Sequence, residues 1–346
     1  MTSAPVSGLP AYREFVSSIE QVELPVRRVR RWPFAALIVL GLLLVTAPIV
    51  SGMFPRAVRG EAMIDAFQPY VTQQRIDGYR DDLRVLEAAR ANVLALQANG
   101  QQPGSFERVD RFVREYPGIQ TDISGMLTAI DGNRDNYRKL SDTTSFGALP
   151  WLLTLPGLAL LVAGGLGLRG AAHGKRGIAW YVVAALAGAG LLVVPSTGGL
   201  FQAAPAAQPL LDGFSPILTH DRVRVVQSYF VTLVAADGEL NSRYVGAVRA
   251  AHPDADLAGV TALESRWQPM TARFAGLVGV MNDNVGNFDA VVALNDSTTP
   301  LGFTAFRGLG WGFVIPGVLS LAIAAAGLRP GRSSSRTAES VAGEPS

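Results

Sequence analysis

The chain has no cysteine, only two lysines (Lys139 and Lys175) among its 30 basic residues, and three histidines, His173, His220 and His252. The first absence excludes a disulfide framework, a thiolate metal site and a cysteine nucleophile in any compartment. The second leaves a catalytic lysine two candidates, and the third leaves little room for a histidine-rich metal centre. Charge is scarce too: 17% of the 346 residues are Asp, Glu, Lys or Arg, against about 25% in a soluble globular chain. There is no phosphate-cradling glycine loop before a helix, no nucleophile elbow and no H-E-x-x-H motif. No catalytic, cofactor-binding or metal-ligating residue is therefore assigned, no cofactor is expected, and a non-enzymatic protein is the expectation.

What the chain does have is apolar length. A hydrocarbon core about 30 Å thick needs roughly 20 mostly apolar residues in a helix. Segments 33–54, 149–168, 177–199 and 308–328 meet that test, and none contains Asp, Glu, Lys, Arg or His. A buried core helix is the ordinary account of one such run, but not of four. Proton relays and coupled ion transport need intramembrane charge, so its absence weighs against a pump or secondary transporter.

Arginine placement orients the spans. The tail 1–32 carries Arg27, Arg28, Arg30 and Arg31, the loop 169–176 carries Arg169, Lys175 and Arg176, and the tail 329–346 carries Arg329, Arg332 and Arg336. Together these three segments hold 11 basic and 5 acidic residues, whereas the loops 55–148 and 200–307 hold 19 basic and 23 acidic. Both termini are expected to be cytoplasmic and both long loops extracytoplasmic. The first apolar run is too long for a cleaved signal peptide and reads as a retained anchor. Leu9, Tyr12, Phe15, Val16, Ile19 and Val22 share one helical face that suits the inner leaflet, and the Ser-, Gly- and Pro-rich C-terminal tail reads as disordered. The basic residues are explained by topology, so nucleic-acid binding is not expected. Abundant Ala, Gly, Arg and Pro with little Lys suggests a high-GC bacterial source and a plasma (inner) membrane.

The sequence also repeats. At a shift of 147 residues, Asp65, Phe67, Pro69, Thr72 and Arg75 meet Asp212, Phe214, Pro216, Thr219 and Arg222, while Pro48, Gly52 and Phe54 meet Pro195, Gly199 and Phe201. At 151, Asn133, Asn136 and Tyr137 meet Asn284, Asn287 and Phe288; at 160, Trp151, Pro156, Gly157, Gly167 and Arg169 meet Trp311, Pro316, Gly317, Gly327 and Arg329. Collinear matches of this kind mark a tandem repeat. Both copies begin on the same side, so the repeats are parallel and suit a pseudo-two-fold axis along the membrane normal. The expected fold is an all-α integral membrane protein: four transmembrane helices in two parallel tandem repeats, each repeat enclosing an extracytoplasmic helical module.

Within the loops, helical spacing dominates. The first module carries a stripe from Ile76 to Leu96, then a short helix capped by Ser105 with Phe106, Val109 and Phe112. After a break at Pro117-Gly118 comes a third stripe from Ile119 through Asn133 to Leu140. The second repeats the scheme with Val223 to Val248, a short helix near 257–267, and a stripe from Met270 through Asn284 to Val291. Asn133 and Asn284 occupy the same slot of an apolar seam. Such a residue fixes register at a cost in stability, or else contacts a ligand inside the bundle. Each span carries a proline toward its outer end, Pro48, Pro156, Pro195 and Pro316. These splay the bundle or act as hinges. The segment around His252, Asp254 and Asp256 faintly resembles a metal cluster but fits a turn and helix cap better. Asp65 with Arg75, and Asp212 with Arg222, suggest salt bridges between halves or solvated surface. The functional expectation is a membrane scaffold or accessory subunit, in contact with membrane lipid, whose paired modules dock an envelope or membrane protein. A lipid-binding or sensory protein is the alternative, and a small transporter or channel the third.

Overall fold

A computed structural model describes residues 30–143, 146–174, 177–297, 299 and 304–329. The amphipathic face over Leu9 to Val22, the residues Arg27, Arg28, Lys175 and Arg176, and the C-terminal tail from Pro330 lie outside them. Every regular element in the described residues is helical. Four helices are long and apolar enough to cross a membrane: α1 (Trp32–Val50), α6 (Leu149–Ala172), α7 (Ile178–Thr197) and α12 (Ala305–Leu328). Their proline residues sit inside the helices. Near two of them a hydroxyl takes up a carbonyl one turn back: Thr154 donates to Pro150 and Ser320 to Pro316, each at 2.8 Å.

The span helices pair through glycine. A Cβ on Gly41 of α1 would lie 2.6 Å from the Gly157 carbonyl oxygen of α6, and one on Gly188 of α7 would lie 2.9 Å from that of Gly317 in α12. Only hydrogen at these positions lets the backbones approach so closely, which is how helices associate where burial from water cannot drive them. Helices α6 and α7 then join the two pairs.

The first apolar run does not stay helical to Phe54. It breaks after Val50, and Gly52 turns the chain with φ +62°; after α7, Gly199 does the same with φ +73°. These left-handed conformations cost glycine nothing and a side chain about 1 kcal/mol or more. Helix α2 (Met53–Phe67) and helix α8 (Leu200–Phe214) follow the two turns. Thr72 and Thr219 then cap α3 (Gln73–Ala98) and α9 (His220–Glu239), each hydroxyl accepting from the amide three residues on, at 3.3 and 3.1 Å.

The descending elements are longer than the spacing predicts. Helix α4 (Glu107–Gly132) runs straight through Pro117-Gly118, and α11 (Ala258–Asp296) runs through Pro269 for 39 residues, about 58 Å at 1.5 Å per residue. The break expected at Pro117 and the separate helix expected at 257–267 are therefore absent. Burial explains the continuity: Val113, Tyr116 and Ile119 bracket Pro117 with buried side chains, so packing outweighs the missing amide. In the first half the break falls instead at Asn133, between α4 and α5 (Arg134–Ser141), just after Gly132. Between α9 and α10 (Val245–Ala251) the chain widens to a single π turn, Leu240–Tyr244.

Away from the spans, α3, α4, α9 and α11 form an antiparallel bundle in which each rising helix lies against the falling helix of the other half, α3 on α11 and α9 on α4. The expected stripe Ile76, Tyr79, Leu83, Leu86, Ala89, Val93 and Leu96 is buried throughout, at about 1.5–3 kcal/mol for each large side chain. One apolar core runs through this bundle and another through the spans.

Candidate functional site

Functional geometry gathers where the two halves meet. Asn92 of α3 and Glu239 of α9 stand 147 apart in sequence, and each caps the falling helix of the opposite half. The Glu239 carboxylate accepts from the amides of Arg108 (2.7 Å) and Val109 (3.0 Å) at the start of α4. The Asn92 carbonyl accepts from Val260 (3.2 Å) at the start of α11, while its amide donates to Asp256 O at 2.8 Å. Val109 and Val260 are themselves 151 apart. Ser105 makes no such cap; α4 is capped from across the seam, where the positive end of the helix favours a carboxylate.

Below the caps lie two ion-paired clusters at matching heights. Asp82 of α3, with no exposed surface, accepts from Arg273 of α11 through both carboxylate oxygens, Nε at 3.0 Å, and has Arg266 Nη2 at 3.6 Å. Tyr79 donates to the Arg273 carbonyl at 3.2 Å, and burial pushes its hydroxyl up to about 12. Across the bundle, Asp122 of α4 accepts from Arg222 (2.6 Å) and Tyr229 (2.9 Å) of α9, and Glu115 accepts from Thr232 at 3.2 Å. Burial, then the hydrogen bond to Asp122, raises the Tyr229 hydroxyl above its ordinary range.

At the shift of 151, Glu115 and Asp122 coincide with Arg266 and Arg273. One falling helix thus carries acids where the other carries arginines, seven residues apart in both. If either half packed on a copy of itself, Asp82 would face Asp122, or Arg222 would face Arg273. The pairing of unlike halves gives Asp82 and Asp122 each an arginine partner; like-charge pairing would not.

Asn133 and Asn284 behave alike. Asn133 donates to Ala129 O (3.0 Å) and accepts from Asn136; Asn284 donates to Val280 O (2.9 Å) and accepts from Asn287 (3.0 Å). Asn284 is buried inside α11, whereas Asn133 is half-buried at the α4–α5 break, where it presses on Gly213 of α8. Each amide is thus satisfied within its own strand of chain. The Asp-to-Arg spacing noted in sequence does not close on itself, since Arg222 goes to Asp122 and Arg75 lies over the Tyr70 ring. Asp256 accepts from Ala258 N at 2.9 Å as a cap, and among the described residues no three metal-ligating side chains converge.

The cavities are of two kinds. Between the halves, where the spans meet the bundle, is an apolar void of about 30 Å³ lined by residues matched across the shifts: Met63 with Leu210, Ile64 with Leu211, Phe67 with Phe214, Tyr137 with Phe288, Phe146 with Phe306. Smaller apolar voids of about 20 Å³ follow higher in the core. On the surface, an open groove of about 800 Å³ separates α4 from α9, lined by Glu115, Gly118 and Thr121 on one side and Ser228, Tyr229 and Thr232 on the other.

The faces beside that groove are uneven between halves. On α9, Ser228, Val231 and Val234 are exposed, Val231 at 67%. The α3 positions 147 earlier are Asp81, Arg84 and Glu87, which are tied into the Arg84–Asp81 (2.7 Å) and Arg90–Glu87 (2.8 Å) ion pairs. One rising helix faces outward with charge and the other with valine. No protein-family model, curated protein or solved structure matches this chain.

Proposed function

We propose that this chain is a non-enzymatic scaffold or accessory subunit of a bacterial plasma membrane, held by four spans with both termini cytoplasmic. Its two parallel tandem repeats form an extracytoplasmic stalk that docks a protein partner. The orientation rests on the arginine bias of the short segments. The repeat is supported by the matched turns at Gly52 and Gly199, the matched caps from Asn92 and Glu239, and the Gly41–Gly157 and Gly188–Gly317 crossings. Glu239, Asp82 and Asp122 are occupied in joining the halves, which suits a structural part.

One observation carries the docking: the exposed valine face of α9 beside an open groove, where the corresponding face of α3 is charged. Apolar surface bordered by polar residues is what partner sites present. Extraction of the tagged protein in native lipid, followed by mass measurement of the intact complex, tests it. A stoichiometric protein mass retained by wild type and lost in Val231→Glu is the expected result. Wild type recovered alone in every preparation would overturn it.

A second reading is favoured by the stacked voids in the core, which have the character of a hydrocarbon site. As they stand, about 30 Å³ admits a water or two and no acyl chain, so this reading ranks behind.

A further inference from the structure

The open groove between α4 and α9 presents acceptors and no donors. Four of the side chains that line it carry hydroxyls, and each gives its one proton to an acceptor within the two helices. Thr121 donates to the Pro117 carbonyl (2.8 Å), Ser228 to that of Val225 (2.7 Å), Tyr229 to Asp122 (2.9 Å) and Thr232 to Glu115 (3.2 Å). The backbone amides of these walls lie beyond the first turn of their helices and are held in the helical ladders. What remains toward the groove is oxygen lone pairs and two carboxylates. Asp122 already has Arg222 at 2.6 Å. Glu115 is exposed and, among the described residues, bonds only to the Thr232 hydroxyl, so its charge is unmatched.

The other seam of the molecule shows what closes such a space. Tyr229 and Asp122 stand where Asp82 and Arg273 stand, at shifts of 147 and 151, and Glu115 stands where Arg266 does. Between α3 and α11 two guanidinium groups converge on Asp82, which has no exposed surface. Between α4 and α9 the same positions hold two acids and a phenol, and the helices leave about 800 Å³ open.

We infer that this groove receives a guanidinium group, the side chain of an arginine on the docked protein partner. The inference rests on the docking function proposed above and gives that partner's chemistry. A guanidinium has five N–H donors and no acceptor, the complement of walls that have acceptors and no free donor. It binds a carboxylate such as Glu115 through two parallel hydrogen bonds, and has donors left for the hydroxyl oxygens around it. A single metal ion does not suit the same groups. Glu115 and Asp122 are seven residues apart on one helix, about 10 Å along its axis. One cation draws its oxygen ligands to about 2.3–2.6 Å from itself. Ser228 and Val231, three residues apart, are neighbours on the surface of α9. The exposed valine therefore borders the groove and offers aliphatic surface to the stem of the incoming arginine.

The probe is the blocked tripeptide Ala-Arg-Ala, titrated onto the full chain in lipid nanodiscs and followed by threonine methyl signals. Thr121 and Thr232 report from the groove, and Thr72 serves as a reference outside it. The control peptide carries citrulline, which keeps the shape of arginine and loses its charge. The second control is Glu115→Gln, an exposed site where the amide oxygen still accepts from Thr232. Saturable shifts at Thr121 and Thr232 are expected. The affinity should be lower by about tenfold or more for the citrulline peptide and for Glu115→Gln, the worth of one charged hydrogen bond. Equal affinity for the two peptides, equal affinity of wild type and Glu115→Gln, or no shift with either peptide overturns the inference. The docking function is judged separately by intact mass. A partner retained by wild type and lost in Val231→Glu leaves that function standing even when the peptide fails to bind. Wild type always recovered alone overturns the docking function, and this inference with it.

Discussion

Phe34 and Tyr181 lie face to face, ring centroids 4.6 Å apart and planes inclined by only 16°. They are 147 residues apart, one at the start of each half's first span. Each ring also covers a glycine of its own half: a Cβ on Gly167 would lie 2.2 Å from the Phe34 ring, and one on Gly327 would lie 2.2 Å from Tyr181. Gly167→Val should therefore displace Phe34 and lower stability by about 1–3 kcal/mol. Adding Phe34→Ala should recover part of that loss. Thermal unfolding in nanodiscs reads both, and a double variant less stable than the sum of its parts would contradict the packing.

The reciprocal caps give a second expectation. Glu239→Ala and Asn92→Ala should each cost about 1–2 kcal/mol, the usual range for a lost cap. The loss should appear across the seam, as faster amide exchange at Arg108 and Val109 for Glu239→Ala and at Val260 for Asn92→Ala. Protection lost only in the substituted helix would refute capping between halves.

Asp82 without its partner, or Arg273 without Asp82, leaves charge stranded at the seam. Asp82→Ala should destabilise by about 3–5 kcal/mol, while Asp82→Leu with Arg273→Met should lie near wild type. A denaturation series on the three proteins decides it. Equal damage from the single and double changes would mean that shape, not charge, matters at this point.

Asp237 titrates upward. It is buried beside Asn241, which donates to it at 3.0 Å, and burial lifts its carboxyl from 3.8 to about 6, with Glu264 adding repulsion and the Asn241 bond opposing it. Because the folded state holds this proton more tightly than the unfolded chain, its contribution improves as pH falls from about 7 toward 4 and worsens as pH rises through 6. Asp237→Asn should remove that dependence and stabilise the protein at pH 7.5 by roughly 1–2 kcal/mol. Melting curves of wild type and variant at pH 5 and 7.5 measure the difference. A constant offset between them would place the cause elsewhere.

Much of the architecture was legible in composition and periodicity. Uncharged runs give the four long apolar helices because nothing else tolerates that length, and the stripe from Ile76 to Leu96 is buried residue by residue. Helix ends were less legible. Pro117 and Pro269 look like terminators locally, yet both lie inside helices whose flanking side chains are packed, and Gly52 ends a helix in a run that stays apolar. The seam was visible only in part. Asn133 and Asn284 stood out as identical residues in matching slots, whereas the matched positions that join the halves differ in kind: Asn92 stands where Glu239 stands, Glu115 where Arg266 stands, and Asp122 where Arg273 stands. Similarity searches between halves pass over such positions. Opposite charge at equal shift is the signal that would have found the last two.

The interleaving of rising and falling helices also sets a timetable. Asp82 waits for a residue 191 positions later, and α3 has no falling helix of the other half to lie on until α11 has been made. At about 5–20 residues per second, synthesis leaves the first half incomplete for roughly 10–40 s. During that interval α6 and α7 are made and a half-built bundle stands with Tyr79, Leu83 and Asp82 not yet covered by α11. The first half thus stands without its opposite falling helix until α11 has been made.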